Sequence, residues 1–379
     1  MNENNENKDL EVTADSPATE EEIQVVKPAR KAPPKKSKKQ KEREARAIRG
    51  INRFIGFLLT TVVLIGVLGL GVEYVLVKGP SPALRDTFVM TMLETRRFGF
   101  IPKLFLSNEE VEQIRSRNAN SVLVEATDPS LINLPGTDGA GAQEGFTPED
   151  YGLVDEDGDG IIIEEIKNKS YSGYMVIVLD PNRVFVGKPD YYGGYGLTVE
   201  AMCQKYDALG GINGGGFVDD GGGGLGGEPT GLTVVDGVYF NEWAPKDIFI
   251  GFDVNGILHI GWMDAQDARA AQIRDGVTFP VGPILVSNGN PLSTASSVNP
   301  RTAIGQRGDG AVLLLVIDGR QAHSVGCTYD DLTEIMMNYG AVNACNLDGG
   351  SSTVLWYDGD YLNSPAAVPR PLPTGFLFR

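Results

Sequence analysis

The chain is poor in cysteine, histidine and tryptophan, with three, two and three of them in 379 residues. Three cysteines (Cys203, Cys327, Cys345) cannot form a disulfide framework. They close one bridge at most, and the simpler reading takes all three as small buried apolar residues. No His/Cys spacing points to zinc. Glycine is abundant at 48 residues, but without a Gly-X-Y period, which excludes collagen. No internal repeat of fixed period is present. The Gly-Lys-Ser/Thr ending of a phosphate-binding P-loop is missing, as is the Gly-x-Ser-x-Gly elbow of serine hydrolases. Positive charge is scarce beyond residue 80, where about 19 Lys/Arg face about 39 Asp/Glu, a net charge near −20. Such a body is a poor partner for nucleic acid or for anionic lipid.

What is present is divided sharply along the chain. Residues 1–26 are acidic and polar and predict disorder. Residues 27–53 carry about twelve Lys/Arg against two Glu. An uncharged apolar run follows over 54–72 and extends to 77 past Glu73. At about 1.5 Å per residue, 54–72 spans roughly 28 Å as a helix, the thickness of a bilayer core. The run and the leader before it are too long for a cleaved signal peptide. The expectation is a cytoplasmic tail over 1–53 and a single transmembrane helix over 54–77. The basic block keeps the N-terminus inside, so the C-terminal part lies outside the plasma membrane. Residues 80–125 predict a helical stalk, with Ser107-Asn108-Glu109-Glu110 as a helix start. Residues 126–149 predict a linker or loop, and 150–379 a globular domain.

Short β-rich runs dominate that domain. Asp180-Pro181-Asn182, Asp236-Gly237 and Asp253-Val254-Asn255-Gly256 read as hairpin turns. A continuous apolar run predicts a buried strand over 312–317. Helices are predicted over 198–206, ending near Gly210-Gly211, and over 264–274. A third is predicted over 328–339, capped by Thr328, with Asp330 and Asp331 in its first turn and Gly340 as its stop. The expected fold class is α+β, a strand-rich mixed domain with a few helices, preceded by the transmembrane helix and the stalk.

Five polar clusters interrupt the apolar pattern. Asn346-Leu347-Asp348-Gly349-Gly350-Ser351-Ser352-Thr353 sits between two apolar stretches and puts one carboxylate and three hydroxyls in a turn where backbone can approach a polar ligand. Asn213-Gly214-Gly215-Gly216-Phe217 offers an amide and bare N–H groups, a candidate anion nest. Arg301 opens the run Thr302-Ala303-Ile304-Gly305 and could hold a phosphate through two parallel hydrogen bonds. Asp318-Gly319-Arg320 follows the buried strand, with His323 close behind as a candidate general acid or base. His259 alternates with Leu258 and Ile260 and reads as structural. Asp155, Asp157 and Asp159 carry the first half of a calcium-loop spacing, but its twelfth position is Ile166 rather than Glu. An acidic turn before a strand and a calcium loop of shorter register both stay open there.

Together these motifs resemble the phosphodiester glycosidase family, over roughly 170–379. The sharpest parts are Asn213 to Phe217, Pro229-Thr230-Gly231, Arg301 to Gly305, Asp318-Gly319-Arg320 and Leu347 to Ser352, in matching order and spacing. The anchor and stalk are similar to those of bacterial membrane-bound members. The resemblance implies hydrolysis of a sugar-1-phosphodiester at its glycosidic side, in cell-surface or exopolysaccharide glycans. On that reading Asp348 supplies the carboxylate near the anomeric carbon. His323, Asp318 or Glu228 activates water, and Arg301, Arg320, Asn213, Gly214, Gly215, Gly349, Gly350, Ser351 and Ser352 bind substrate. No cofactor is required, with calcium open as an addition. The expected partners are a glycan or sugar-phosphodiester substrate and the membrane, and no nucleic acid. A glycan-binding or scaffold protein of the cell envelope on the same fold is the alternative, and a hydrolase using Ser351 or Ser352 is a third.

Overall fold

The apolar run forms the second half of a 41-residue helix, α1 (Lys38–Lys78). The structure, a computed structural model, describes residues 37–94, 99–118, 126–134, 153–219, 224–280, 282–294 and 296–379. Residues 1–36 of the expected tail lie outside the described residues, while 38–53 form the first part of α1. The chain divides into two units, 1–68 and 69–379. Among the described residues α1 alone is long and apolar enough to cross a membrane, and its large apolar side chains from Phe54 to Val72 are exposed.

Within the second unit, α2 (Pro82–Glu94) and α3 (Asn108–Asn118) share a small core. Val77, Val89, Leu106, Val111 and Ile114 are buried together there. Ser107 caps α3, accepting from Glu110 N (3.1 Å) while Glu110 Oε2 accepts from Ser107 N (2.7 Å). The first part of the expected linker is fixed to the body. Asn133 N donates to Gly308 O (2.7 Å), Asp128 N to Asn288 Oδ1 (2.9 Å) and Ile260 N to Thr127 Oγ1 (3.0 Å). The remainder of that linker, 135–149, lies outside the described residues.

Among the described residues, seventeen strands follow. They are β1 (Ile161–Lys167), β2 (Ser172–Val178), β3 (Val184–Gly187), β4 (Gly210–Asn213), β5 (Thr233–Val235), β6 (Val238–Phe240), β7 (Asp247–Asp253), β8 (Leu258–Met263) and β9 (Ile273–Thr278). Then come β10 (Ile284–Ser287), β11 (Asn290–Pro291), β12 (Arg301–Arg307), β13 (Val312–Ile317), β14 (Ala341–Asn346), β15 (Leu355–Tyr357), β16 (Asp360–Tyr361) and β17 (Gly375–Phe378). Three helices intervene: α4 (Val199–Tyr206), α5 (Ala265–Ala270) and α6 (Tyr329–Asn338). The class is thus α+β with strands in the majority.

The strands build three sheets, ordered β1-β2-β13-β12-β14-β10-β11, β16-β15-β4-β17-β3 and β6-β5-β9-β7-β8. One core joins all three, with Leu314 and Val316 of the first, Phe376 and Phe378 of the second and Ile250 and Phe252 of the third. A second core lies between the opposite face of the seven-stranded sheet and α6, through Leu313, Leu315, Leu332 and Met336. Successive residues of β12 therefore serve different cores, Ala303 the second and Ile304 the first. Arg301 and Thr302 leave the strand on opposite faces by the same alternation.

Local signals place several elements where the sequence predicts them. The capping box Thr328/Asp331 opens α6, and Gly340 (φ +80°) follows it. Asp236-Gly237 joins the paired strands β5 and β6, and 253–256 joins β7 and β8. Three expectations differ. Asp180-Pro181-Asn182 is not a hairpin: β2 and β3 belong to separate sheets, and the turn carries the chain between them. The helix over 264–274 shortens to α5, because 273–278 are taken up as β9 between β5 and β7. α4 ends on Asp207 in the left-handed region (φ 52°), while Gly210 and Gly211 already belong to β4.

Candidate functional site

Asn213, the last residue of β4, is fully buried and ties four segments. Its Nδ2 donates to the Asp348 carbonyl (2.5 Å). Its Oδ1 accepts from Thr302 Oγ1 (2.8 Å) and from Val354 N (3.2 Å). Asp348 N donates to Gly214 O (3.3 Å). The backbone of Asp348 is thus clamped on both sides to the end of β4. The turn leaves β14 in one sheet and enters β15 in another, so it bridges two sheets rather than closing a hairpin.

The glycines after Asp348 permit close approach. A Cβ on Gly349 would lie 2.9 Å from Pro300 O. Gly350 has φ +64°, and its N donates to Pro300 O (2.9 Å). A Cβ on Gly350 would lie 3.3 Å from Arg320 Nη2, which puts that guanidinium against the turn. Arg320 Nη2 also donates to Asn299 Oδ1 (2.9 Å). Ser351 is half-buried and Ser352 buried, both in the short 3-10 turn Gly350–Ser352.

Asp318 lies at the end of β13 and is buried. Its Oδ1 accepts from Asn363 Nδ2 (2.9 Å) and Ser364 N (3.0 Å), and Oδ2 from Ser364 N (3.1 Å). His323 Nε2 stands 3.8 Å from Asp318 Oδ2, and its side chain is 51% exposed. Ser324 Oγ fastens the loop by donating to Asp318 O (2.7 Å). Asp318 thereby anchors the 363–364 segment, and His323 stands beside it with its side chain in solvent.

Arg301 and the glycine run are placed otherwise than their sequence suggests. Arg301 Nη2 donates to Ser297 O (2.7 Å), and its guanidinium carbon lies 3.9 Å from the centre of the Tyr329 ring. It occupies the α6 side of β12, although its Cα passes 3.7 Å from the Cβ position of Gly349. The N–H groups of 214–216 do not form an open nest either. Gly214 N donates to Thr374 O (3.1 Å), Gly215 N to Thr374 Oγ1 (3.1 Å) and Gly216 N to Thr278 O (3.0 Å). Glycine is needed at 214 and 215 because Thr374 and Thr278 press against them, at 2.6 Å from a Cβ in each case.

One charged group of this neighbourhood has no prior signal in the sequence. Arg370 precedes the segment that bonds Gly214 and Gly215 through Thr374. Its Nη2 donates to Asp219 Oδ2 (2.9 Å), and its guanidinium carbon lies 4.5 Å from the centre of the Phe217 ring. Burial pulls its pKa below the ordinary arginine value, while the Asp348 charge acts in the opposite sense. Glu228 is half-buried on the neighbouring strip, where its carbonyl accepts from Val218 N (2.9 Å) and its Oε2 stands 3.5 Å from a Cβ on Gly193. Only an Arg between two prolines, in a run otherwise devoid of charge, could have flagged Arg370.

The three aspartates of the calcium-like loop do come together. One carboxylate oxygen from each of Asp155, Asp157 and Asp159 lies within 4.8 Å of the others. Much of their capacity is used locally. Asp155 accepts from Gly158 N and Gly160 N (both 2.9 Å), Asp157 from Asp159 N (3.3 Å) and Asp159 from Ile161 N (2.7 Å). Ile166, at the twelfth position, is a β1 residue. The Tyr357 phenol is pushed up by burial and then by the charges of Asp159, Asp358 and Asp157. The cysteines are all free and buried, and burial pushes Cys203 up to about 12 and raises Cys327 and Cys345 too. As thiols they are poor nucleophiles.

A strand-rich domain with a carboxylate turn packed against Arg320 is thus in place. Residues 206–379 match the phosphodiester glycosidase family, and this segment is a domain of that family. The chain is 29% identical over 180 residues to the SPbeta prophage-derived uncharacterized protein YomE of Bacillus subtilis (strain 168). That match covers 44% of this chain and 27% of YomE, so the chain spans about a quarter of that relative. Among solved structures it is similar to the zebrafish N-acetylglucosamine-1-phosphodiester alpha-N-acetylglucosaminidase catalytic domain, auto-inhibited by its pro-peptide. The TM-score is 0.49 at 22% identity, covering 58% of this chain and 82% of that one. A hypothetical protein from Synechocystis gives 0.42 at 15%, covering 58% and 62%.

Proposed function

We propose that the protein is a membrane-anchored hydrolase that cleaves sugar-1-phosphodiesters at the glycosidic bond, in glycans outside the cytoplasm. The single observation that carries this is the clamped Asp348 turn with Arg320 against Gly350, inside a domain of this family. In the reaction, water adds to the anomeric carbon and the bond from that carbon to the phosphate oxygen breaks. A free sugar and a phosphomonoester leave. Asp348 stabilises positive charge developing on the sugar ring or attacks it directly. His323, exposed beside Asp318, takes the proton from water. Phosphate leaves readily, so little general-acid help is needed. Ser351, Ser352, Gly349 and Gly350 shape the floor on which the sugar rests, and Glu228 stands on the flank. The apolar part of α1 anchors the protein, with the basic residues of 27–53 ahead of that part holding the N-terminus in the cytoplasm.

The test uses the full-length protein in detergent with a panel of sugar-1-phosphodiesters. Free sugar and phosphomonoester should appear in equal amounts. Release of sugar phosphate and alcohol instead, or binding without any product, would overturn the reading.

A further inference from the structure

We propose that Arg370 is the cation that grips the phosphodiester, the role its sequence position hides and Arg301 does not fill. This rests on the hydrolase reading above and deepens it. Geometry carries the assignment in three steps. First, Arg370 belongs to the site by covalent and hydrogen-bonded continuity. Four residues on, Thr374 holds Gly214 and Gly215, and Gly214 O accepts from Asp348 N. Second, the guanidinium is fixed before any ligand arrives. Asp219, buried, takes Nη2 from one edge, and the Phe217 ring supports one face. Third, the fixed group is not used up. Nη2 to Asp219 is its single protein hydrogen bond among the described residues, Nε has none, and 24% of the side chain is exposed.

Arg301 has the opposite character. It is 4% exposed and is spent on Ser297 O and the Tyr329 ring, on the other face of β12. Arg370 instead lies by Phe217 and Asp219, just beyond the glycine whose carbonyl accepts from Asp348 N. A diester carries one negative charge on two non-bridging oxygens, which a planar guanidinium can meet together. Arg370 also offsets Asp219 and Asp348, so an anionic substrate can approach an otherwise acidic body. Asp219 is therefore a positioning residue: it aims the guanidinium and does not touch substrate.

The experiment compares wild type with Arg370→Gln, Arg370→Lys, Asp219→Asn and Arg301→Gln, all full-length in detergent. Two readouts are taken: steady-state kinetics on the best sugar-1-phosphodiester, and binding of dimethyl phosphate by calorimetry. Expected are a rise in KM of at least tenfold and loss of dimethyl phosphate binding in Arg370→Gln. Arg370→Lys should recover part of both, and Asp219→Asn should raise KM with a smaller change in kcat. Circular dichroism melting separates these effects from unfolding, and Arg301→Gln should lower the melting temperature while leaving KM unchanged in the folded fraction. A folded Arg370→Gln with wild-type KM and diester affinity overturns the assignment, whatever the enzyme hydrolyses. Dimethyl phosphate binding that depends on Arg370, in a protein that turns over no sugar phosphodiester, would sink the hydrolase reading and leave this one standing.

Discussion

Two acidic turns stand out in this molecule, and they are built in opposite ways. The loop at 155–160 is self-contained: its aspartates accept from N–H groups two to five residues ahead. The turn at 346–353 is held from afar, by Asn213 across 135 residues, with Arg320 and Pro300 packed against its glycines. A turn that satisfies itself can be moved or lost at little cost. A turn assembled from β4, β12, β13 and the 370–374 segment fixes a carboxylate among charges that local sequence could never bring together. That is the condition for a preorganised site.

The difference can be pressed with four experiments. Asp348→Asn keeps the shape of the turn and removes its charge, so activity should fall by about 10²–10⁴-fold with the melting temperature nearly unchanged. Equal activity would remove Asp348 from its role. Asn213→Ala empties the knot and leaves Thr302, the Val354 N–H and the Asp348 carbonyl without their partner. Denaturant titration should show a loss of about 2–4 kcal/mol, and activity should collapse even where the protein stays folded. Next comes the buried pair of β7 and β8, His259 Nε2 to Asp253 Oδ2 at 3.2 Å. Burial alone would raise the Asp253 pKa, but the His259 bond and the N–H groups of Ile257 and Asn255 hold it below the ordinary 3.8. A folded value below the unfolded one stabilises above the unfolded pKa and is lost as pH falls through the folded one. Asp253→Asn should therefore be less stable than wild type at neutral pH, and the gap should close below pH 3.8 in a pH series of melts. The smallest effect is expected from Asp157→Ala in the self-contained loop, a shift of about a degree or less without calcium. Millimolar calcium that raises the wild-type melting temperature and not that of the variant would reverse the contrast, turning the loop into a metal site.

The same contrast explains what could be read along the chain. Thr328 and Asp331 announce α6, and Asp236-Gly237 announces its hairpin, because these signals act over a few residues. Asp348 stands out for the same reason, its glycines being adjacent. The pairing of strands is another matter. Nothing near Asp180-Pro181-Asn182 distinguishes a hairpin from a crossing between sheets. Nothing within 273–278 shows that β5 and β7 wait on either side. Arg301 reads as a phosphate ligand at the start of its run, yet strand alternation turns it toward Tyr329. Arg370 sits in coil among prolines, and its partner Asp219 is 151 residues away.

The strand β17 makes the seating of the Asp348 turn wait on late residues. It lies between β3 and β4, so residues 375–378 hold together two strands synthesised far earlier. Thr374, immediately before it, locks the glycines that carry Asp348. Excising 374–378 would remove at one stroke the filler between β3 and β4 and the Thr374 bonds to Gly214 and Gly215, so the Asp348 turn would lose its footing while the seven-stranded sheet kept its own neighbours.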